Sequence, residues 1–262
     1  MPIITLTTDF GTDSPYVAAM KGVILSINPA VTIIDITHAV PAQDITQGAV
    51  VLEDITPWFP KETIHVAVVD PGVGTERSIV YARIGSQQYI APDNGLLSRL
   101  AARTEPSMIL RLSEPKYWLA EVSAMFHGRD IMAPAAAHLS LGVSPPSLGQ
   151  AAGQLKQLDM HRPHMTDTKI LGEVMSIDSF GNLITNISAD LLAGKPSDDR
   201  MCVICGPHKT RGIYRTYGEQ PQGTLVALIG SAGRLELAIV GGNASQRLGV
   251  AVGASVVVAW ES

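Results

Sequence analysis

Apolar and polar positions follow two different rhythms along this chain. In its first part, short β-branched apolar runs alternate with stretches carrying a 3.6-residue apolar stripe. Residues 3–8 form the first run, which ends in Asp9-Phe10-Gly11-Thr12-Asp13. Ser14-Pro15 then reads as an N-cap followed by proline at the first helical position. Tyr16, Met20, Val23, Ile24 and Ile27 give that helix one apolar face, and Asn28-Pro29 stops it. A strand over 32–36 follows, then a helix over 44–58 with Ile45, Ala49, Leu52 and Ile55 inward. Residues 63–69 are dense in apolar side chains, as a buried parallel strand is. Runs 78–84 and 88–90 read as a hairpin across Gly85-Ser86, and 94–103 and 130–141 as further helices. This alternation predicts an α/β N-terminal domain with a mainly parallel sheet over residues 1–160.

The rhythm changes after Gly142. Pro145, Pro146, Gly149 and Gly153 punctuate a stretch ending in His161-Arg162-Pro163-His164, and 161–168 reads as a linker with solvated His161 and His164. Beyond it nearly every segment is strand-like: 170–177, 182–187, 201–204, 224–229, 235–240 and 255–260. Short strands at such spacing predict a smaller all-β, barrel-like domain over 169–262.

Composition narrows the class. The 262 residues are 46% hydrophobic and 16% charged, which excludes a disordered or coiled-coil chain. The net charge of −5, with no basic block, argues against general nucleic-acid binding. No apolar run approaches the ~20 residues of a membrane span, and the first residues lack a basic signal-peptide region. The only cysteines, Cys202 and Cys205, enclose Val203-Ile204 with no second pair following, so they read as two small buried thiols on a strand rather than as a zinc or redox site. A cytoplasmic, disulfide-free protein is the expectation.

Polar residues collect where predicted strands end, the place where open α/β sheets bind ligands. The clusters are Asp9-Phe10-Gly11-Thr12-Asp13, Asp70-Pro71-Gly72-Val73-Gly74 with Arg77-Ser78, Ala91-Pro92-Asp93-Asn94-Gly95, and Phe126-His127-Gly128-Arg129-Asp130. Each also has a purely structural reading. Asp-Gly and Asn-Gly pairs make turns, Asp93-Asn94 and Asp130 are candidate helix caps, and Arg129 is a candidate charge partner for Asp130. Gly72-Val73-Gly74 is too short for a dinucleotide fingerprint and precedes a strand, not a helix. Asp9-Phe10-Gly11 lacks the glycine-rich and catalytic loops of a kinase.

Taken together and in order, these clusters resemble the S-adenosyl-L-methionine (SAM) hydroxide adenosyltransferases, the SAM hydrolases related to fluorinase and chlorinase. The resemblance continues at Ile177-Asp178-Ser179-Phe180-Gly181-Asn182, Thr185-Asn186, Gly230-Ser231 and Gly242-Asn243-Ala244, and so spans nearly the whole chain. It implies an α/β domain, a β-barrel domain and a homotrimer, with active sites between the N-domain of one subunit and the C-domain of the next. The activity implied is water attack on the ribose C5′ of SAM, giving adenosine and L-methionine, with no cofactor and no metal. By motif, Asp70, Arg77 and His127 form the set that positions water. Asp9 falls on the carboxylate that holds ribose hydroxyls. Asp178 and Asn182 fall on residues at the methionine or adenine end, Phe180 on the adenine, and Ser231 on the methionine carboxylate.

The halogenating relatives have Tyr and Thr where this chain has Asp70 and Val73, Ser where it has Gly128, and an aromatic ring where it has Gln43. Three other readings stay open at this level. They are halide adenosyltransfer, a nucleoside- or SAM-binding module without turnover, and a metal-dependent hydrolase using Asp9, Asp13, Asp93 and His127. For 178–182 the structural alternative is a β-turn between strands.

Overall fold

The last five residues of β1 (Ile3–Thr8) are all buried, threonines included, as in a strand covered on both faces in the middle of a sheet. In the computed structural model, which describes residues 1–261, β1 lies between β2 (Thr32–Thr37) and β3 (Ile64–Val68) and is parallel to both. Strand β3 pairs in parallel with β5 (Gln87–Pro92). From there the sheet grows antiparallel through β4 (Ile79–Ile84), β6 (Pro106–Leu112) and β7 (Gly149–Ala151). The order β2-β1-β3-β5-β4-β6-β7 bears out the α/β reading: four parallel strands, extended on one side by an antiparallel hairpin and its neighbours. Strands β6 and β7 were not predicted. One opens on a proline and the other has three residues, so neither carries a clear period.

Helices cover both faces of this sheet. Met20 and Ile24 of α1 (Tyr16–Ile27) share one core with Leu6 and Val66 of the sheet and with α4 (Ala133–Ser140). Leu52 of α2 (Ile45–Ile55) and Leu100 of α3 (Ser98–Arg103) build the opposite core with Ala67 and Val69. Three helix starts differ from expectation. Pro15, not Ser14, occupies the cap position of α1, and the Ser14 hydroxyl donates to the Phe10 carbonyl at 3.0 Å instead. The helix expected from Asn94 begins at Ser98, because the Asn94 side chain is spent on Val69 O and Leu96 N. The helix expected from Asp130 begins at Ala133, after a π-helical turn over Gly128–Met132. Asp44 caps α2 as its sequence indicates, accepting from Gln47 N at 2.9 Å; its last three predicted residues form a separate 3₁₀ turn, Thr56–Trp58.

The chain divides into two compact units, Met1–Asp159 and the remainder from Met160. The second is all-antiparallel: β12 (His208–Arg211), β11 (Met201–Cys205), β15 (Ser255–Trp260), β9 (Lys169–Ile177), β10 (Leu183–Ser188), β14 (Arg234–Ile239), β13 (Leu225–Ile229). Just beyond β12, Tyr214 N bonds Ala227 O at 2.8 Å, bringing the two ends of this sheet together as a nearly closed barrel. Two short helices, α5 (Ala189–Leu192) and α6 (Ala244–Leu248), complete the unit. Of the segment read as linker, His164–Met165 is folded onto β9 as a short strand, β8. Cys202 and Cys205 sit on β11 as expected, but only Cys205 is buried. Three positions apart on a strand, they face opposite sides and cannot bridge, and Cys202 on the outer side is half-buried. Among the described residues no helix is long and apolar enough to cross a membrane.

The first unit buries a histidine. His65 on β3 is wholly inaccessible and its Nδ1 pairs with Thr5 Oγ1 at 2.7 Å. Burial holds its pKa down, from 6.5 to about 3. The folded protein therefore keeps His65 neutral where the unfolded chain already binds a proton. Stability should fall as pH drops from 6.5 towards 3, by up to about 1.4 kcal/mol per pH unit from this group. Urea midpoints measured across that range should show a flatter decline for His65→Gln than for the natural chain.

Candidate active site

The sheet topology makes this site. Strands β1 and β3 are parallel neighbours, so the segments that follow them, carrying Asp9 and Asp70, emerge at one edge. Strand β4 is antiparallel to β5, which itself runs with β3. The loop 70–78 thus leaves β3 and returns to the start of β4 at the same edge, and it brings Arg77 back to Asp70. His127 arrives from the other direction, immediately before the π-helical turn.

Arg77 grips Asp70 through two nitrogens. Its Nε donates to Oδ1 and Oδ2 at 3.0 and 2.9 Å, and its Nη2 donates to Oδ2 at 2.5 Å. The two side chains are only 10% and 4% exposed. Nη2 also lies 2.9 Å from His127 Nδ1. A guanidinium has no acceptor, so Nδ1 must accept here, which puts the imidazole proton on Nε2. Burial, and then the Arg77 cation, hold the His127 pKa below its ordinary value despite the opposing pull of Asp70. The result is a carboxylate, a guanidinium and a neutral imidazole fixed in one chain of hydrogen bonds.

This cluster opens on a cavity of about 790 Å³, whose wall includes Asp9, Phe10, Tyr16, Gln43, Asp70 and His127. Its size suits a nucleoside-sized ligand. Asp9 Oδ2 accepts from the backbone N–H of Gln43 at 2.8 Å. Gln43 holds a left-handed backbone (φ 65°), sparsely populated by non-glycine residues, so that amide is set at a conformational cost. Three rings line the same wall: Phe10, Tyr16 and Phe126 meet edge to face with centroids 5.3–5.8 Å apart. Sequence reasoning missed this group. Tyr16 fits the helix's apolar stripe, yet it is half exposed because the stripe's first turn overhangs the cavity instead of the core.

The fourfold metal set does not assemble. The Asp93 carboxylate accepts from Lys156 N at 2.8 Å, Asp9 is engaged by Gln43, and Asp13 pairs with the neighbouring Thr12 hydroxyl. No group of three or more His, Cys, Asp or Glu among the described residues is spaced to share an ion. The structural reading of Arg129 as partner to Asp130 is correct, with Nε 2.5 Å from Oδ1. Asp130 caps no helix; its other oxygen accepts from Ser123 N at 2.8 Å.

In the second unit Asp178 organises a tight turn between β9 and β10. Oδ1 accepts from Phe180 N and Asn182 N, and Oδ2 from Asn182 Nδ2, each at 2.9 Å. The turn reading therefore holds, and the turn presents the Phe180 ring 75% exposed. Ser231 is exposed in the turn joining β13 to β14. Tyr217 and Glu236, unremarked in the sequence, join this group: Tyr217 Oη donates to Glu236 Oε1 at 2.6 Å. The available signal was one acid inside the apolar run Leu235–Ile239.

An α/β unit with an acid–guanidinium–imidazole cluster at its strand ends, followed by an antiparallel barrel, matches known proteins along both units. Residues 4–149 match the SAM hydroxide adenosyltransferase N-terminal domain, and residues 172–257 match the C-terminal domain of the same family. The chain belongs to the SAM hydroxide adenosyltransferase family. The (R)-S-adenosyl-L-methionine hydrolase of Thermus thermophilus is 38% identical to it over 259 residues, covering 95% of this chain and 96% of the relative. The enzyme of the same name from Methanocaldococcus jannaschii is 36% identical over 95% of this chain and 93% of its own. A fluorinase from an Actinoplanes species is 32% identical over 71% of this chain and 72% of its own. A crystal structure of an uncharacterized conserved protein from Thermotoga maritima superposes with a TM-score of 0.93 at 35% identity, covering 98% of this chain and 99% of that one.

The electrostatics of the cluster can be read directly. An NMR titration of His127 should give a midpoint below 6.5. In Arg77→Gln the midpoint should rise, because the cation that opposes protonation is gone while the Asp70 carboxylate stays. A midpoint that does not move would show that Arg77 has no electrostatic hold on the imidazole.

Proposed function

We propose that this protein hydrolyses SAM to adenosine and L-methionine, by attack of water on the ribose C5′. The observation that carries this reading is the Asp70–Arg77–His127 cluster on the cavity wall, in a chain whose full-length relatives are SAM hydrolases. The leaving group departs from a sulfonium as a neutral thioether and needs no general acid. The difficult partner is water, a weak nucleophile at neutral pH. Asp70, with both oxygens anchored by Arg77, offers remaining lone pairs to a water hydrogen and so orients the oxygen towards C5′. Arg77 supplies positive potential where hydroxide character develops. His127 adds an Nε2–H donor to the same wall. The proton released from water leaves through Asp70 to solvent.

Halide transfer fits this cavity less well. A halide placed where the attacking atom must sit would lie beside the Asp70 carboxylate, and two like charges there oppose binding. A binding module without turnover leaves the half-buried Asp70–Arg77–His127 chain without a purpose.

Asp9, beside the cavity, is assigned to the ribose hydroxyls. In the second unit Asp178 and Asn182 are assigned to the methionine or adenine end, Ser231 to the methionine carboxylate, and Phe180 to the adenine ring. We also propose the family's homotrimer, of about 83 kDa from three chains of 27.8 kDa, with each site drawing on two chains.

In water enriched in heavy oxygen, label should enter the adenosine 5′-hydroxyl, with EDTA present throughout. Asp70→Ala should lower turnover by about 10²-fold or more, with a smaller change in affinity, whereas Asp9→Ala should mainly raise KM. Unlabelled adenosine, or near-normal turnover without the Asp70 carboxylate, would refute the mechanism.

The assembly has its own test. Asp70→Ala and Asp178→Ala chains, each nearly inactive, should regain part of their activity when unfolded together and reassembled. A monomer by light scattering would refute the trimer, and a trimer without recovery would place each site within one chain.

A further inference from the structure

Glu236 is a carboxylate in the wrong place for a purely structural strand. It lies on β14, 6% exposed, between Leu235 and Leu237, with β10 on one side and β13 on the other. Burying an acid there is costly unless it is hydrogen-bonded. Its Oε1 takes the Tyr217 hydroxyl at 2.6 Å. Its Oε2 lies against Gly230, where an added Cβ would come within 2.5 Å of it.

Tyr217 has a rigid mount of its own, a 3₁₀ turn closed by a reciprocal capping box between Thr216 and Glu219. Its hydroxyl also lies 3.5 Å from Asn182 Nδ2, the same amide that donates to Asp178 Oδ2 at 2.9 Å. Burial, reinforced by the Asp178 charge, holds the Glu236 carboxyl above its usual range. Burial and the Glu236 carboxylate push the Tyr217 phenol well up, so the phenol keeps its proton and donates.

We propose that Glu236 is a positioning residue for substrate binding. Through Tyr217 and Asn182 it orients the Asp178 carboxylate. One buried acid thus sets the turn of the second unit that carries Asp178, Phe180 and Asn182. This rests on the assignment of that turn to SAM. Glu236 itself touches no reacting atom, so it governs how well the substrate is held and leaves the chemical step to the first unit.

The experiment is a double-mutant cycle on KM and kcat for SAM. Glu236→Leu and Tyr217→Phe should each raise KM by roughly tenfold, the scale for leaving a buried hydrogen-bonding partner unpaired, with kcat within about threefold of normal. The double variant should be no worse than the poorer single one. Glu236→Gln, which keeps an acceptor for the phenol, should restore KM to near its natural value. Additive effects in the double variant, an unchanged KM in Tyr217→Phe, or a kcat loss matching the KM rise would overturn the proposal.

A second measurement needs no substrate. The Asn182 side-chain amide resonances of the ligand-free protein should shift in Tyr217→Phe and Glu236→Leu and stay in place in Glu236→Gln. If they do so while the natural chain leaves SAM intact, the tether stands and the SAM reading falls. If they do not move in Tyr217→Phe, the tether falls whatever the substrate.

Discussion

Arg77 has hydrogens to give and no lone pair to receive with, and it gives them to Asp70 and His127 in one fan. Two almost buried charges of opposite sign fix each other, and removing either would leave the other uncompensated, at a cost of several kcal/mol. That pairing constrains the chain around it. The loop 70–78 must leave the sheet and come back at one edge, which a parallel crossover to the neighbouring strand could not do in so few residues. The antiparallel β4–β5 hairpin at the edge of the four parallel strands supplies the return. The mixed sheet is, on this view, the topology that a short acid-to-arginine loop requires.

Much of this was legible along the chain because function and periodicity mark the same places. Strand runs end where Asp9 and Asp70 begin, so the cavity's edge could be located before any side chain was placed. Helix starts were less legible, for one repeated reason. Ser14, Asn94 and Asp130 are all residues that favour caps, yet each is spent on a loop: Ser14 on Phe10 O, Asn94 on Val69 O and Leu96 N, Asp130 on Arg129 and Ser123 N. Local propensity names the candidates, but tertiary hydrogen bonding decides which one caps. Asp44, with no competing loop to tie, caps α2 as its type predicts. The Tyr217–Glu236 pair lay beyond sequence reading because its members are 19 positions apart and meet only once the antiparallel sheet has formed.

The Asp178 turn shows that a structural reading and a functional one need not compete. Its carboxylate accepts three hydrogen bonds from the turn it sits in, which makes the turn stiff. Stiffness keeps the Phe180 ring in water, where a ring of that size forgoes about 1.5–3 kcal/mol of burial. A side chain held out at that expense gains meaning when something flat lies against it. In the proposed reaction that is the adenine.

With His127 neutral, the cluster of Asp70, Arg77 and His127 carries no net charge, although it holds a strong internal dipole. Such a cluster does not repel a sulfonium substrate, as an unpaired arginine would, and does not trap it in an unreactive ion pair, as an unpaired aspartate would. Its dipole acts on the small molecule between. In the proposed mechanism a water with one hydrogen on Asp70 has its oxygen turned towards positive potential from Arg77, the field that favours a developing hydroxide. As the new C–O bond forms, the cationic centre on sulfur disappears, so charge is consumed in the transition state and the aromatic wall of Phe10, Tyr16 and Phe126 works with the proposed reaction. An anion in the same position would gain from Arg77 but meet Asp70 first, and it has no hydrogen with which to satisfy the carboxylate. The proposed preference for water over halide therefore rests on one carboxylate that accepts hydrogen bonds and has none to give.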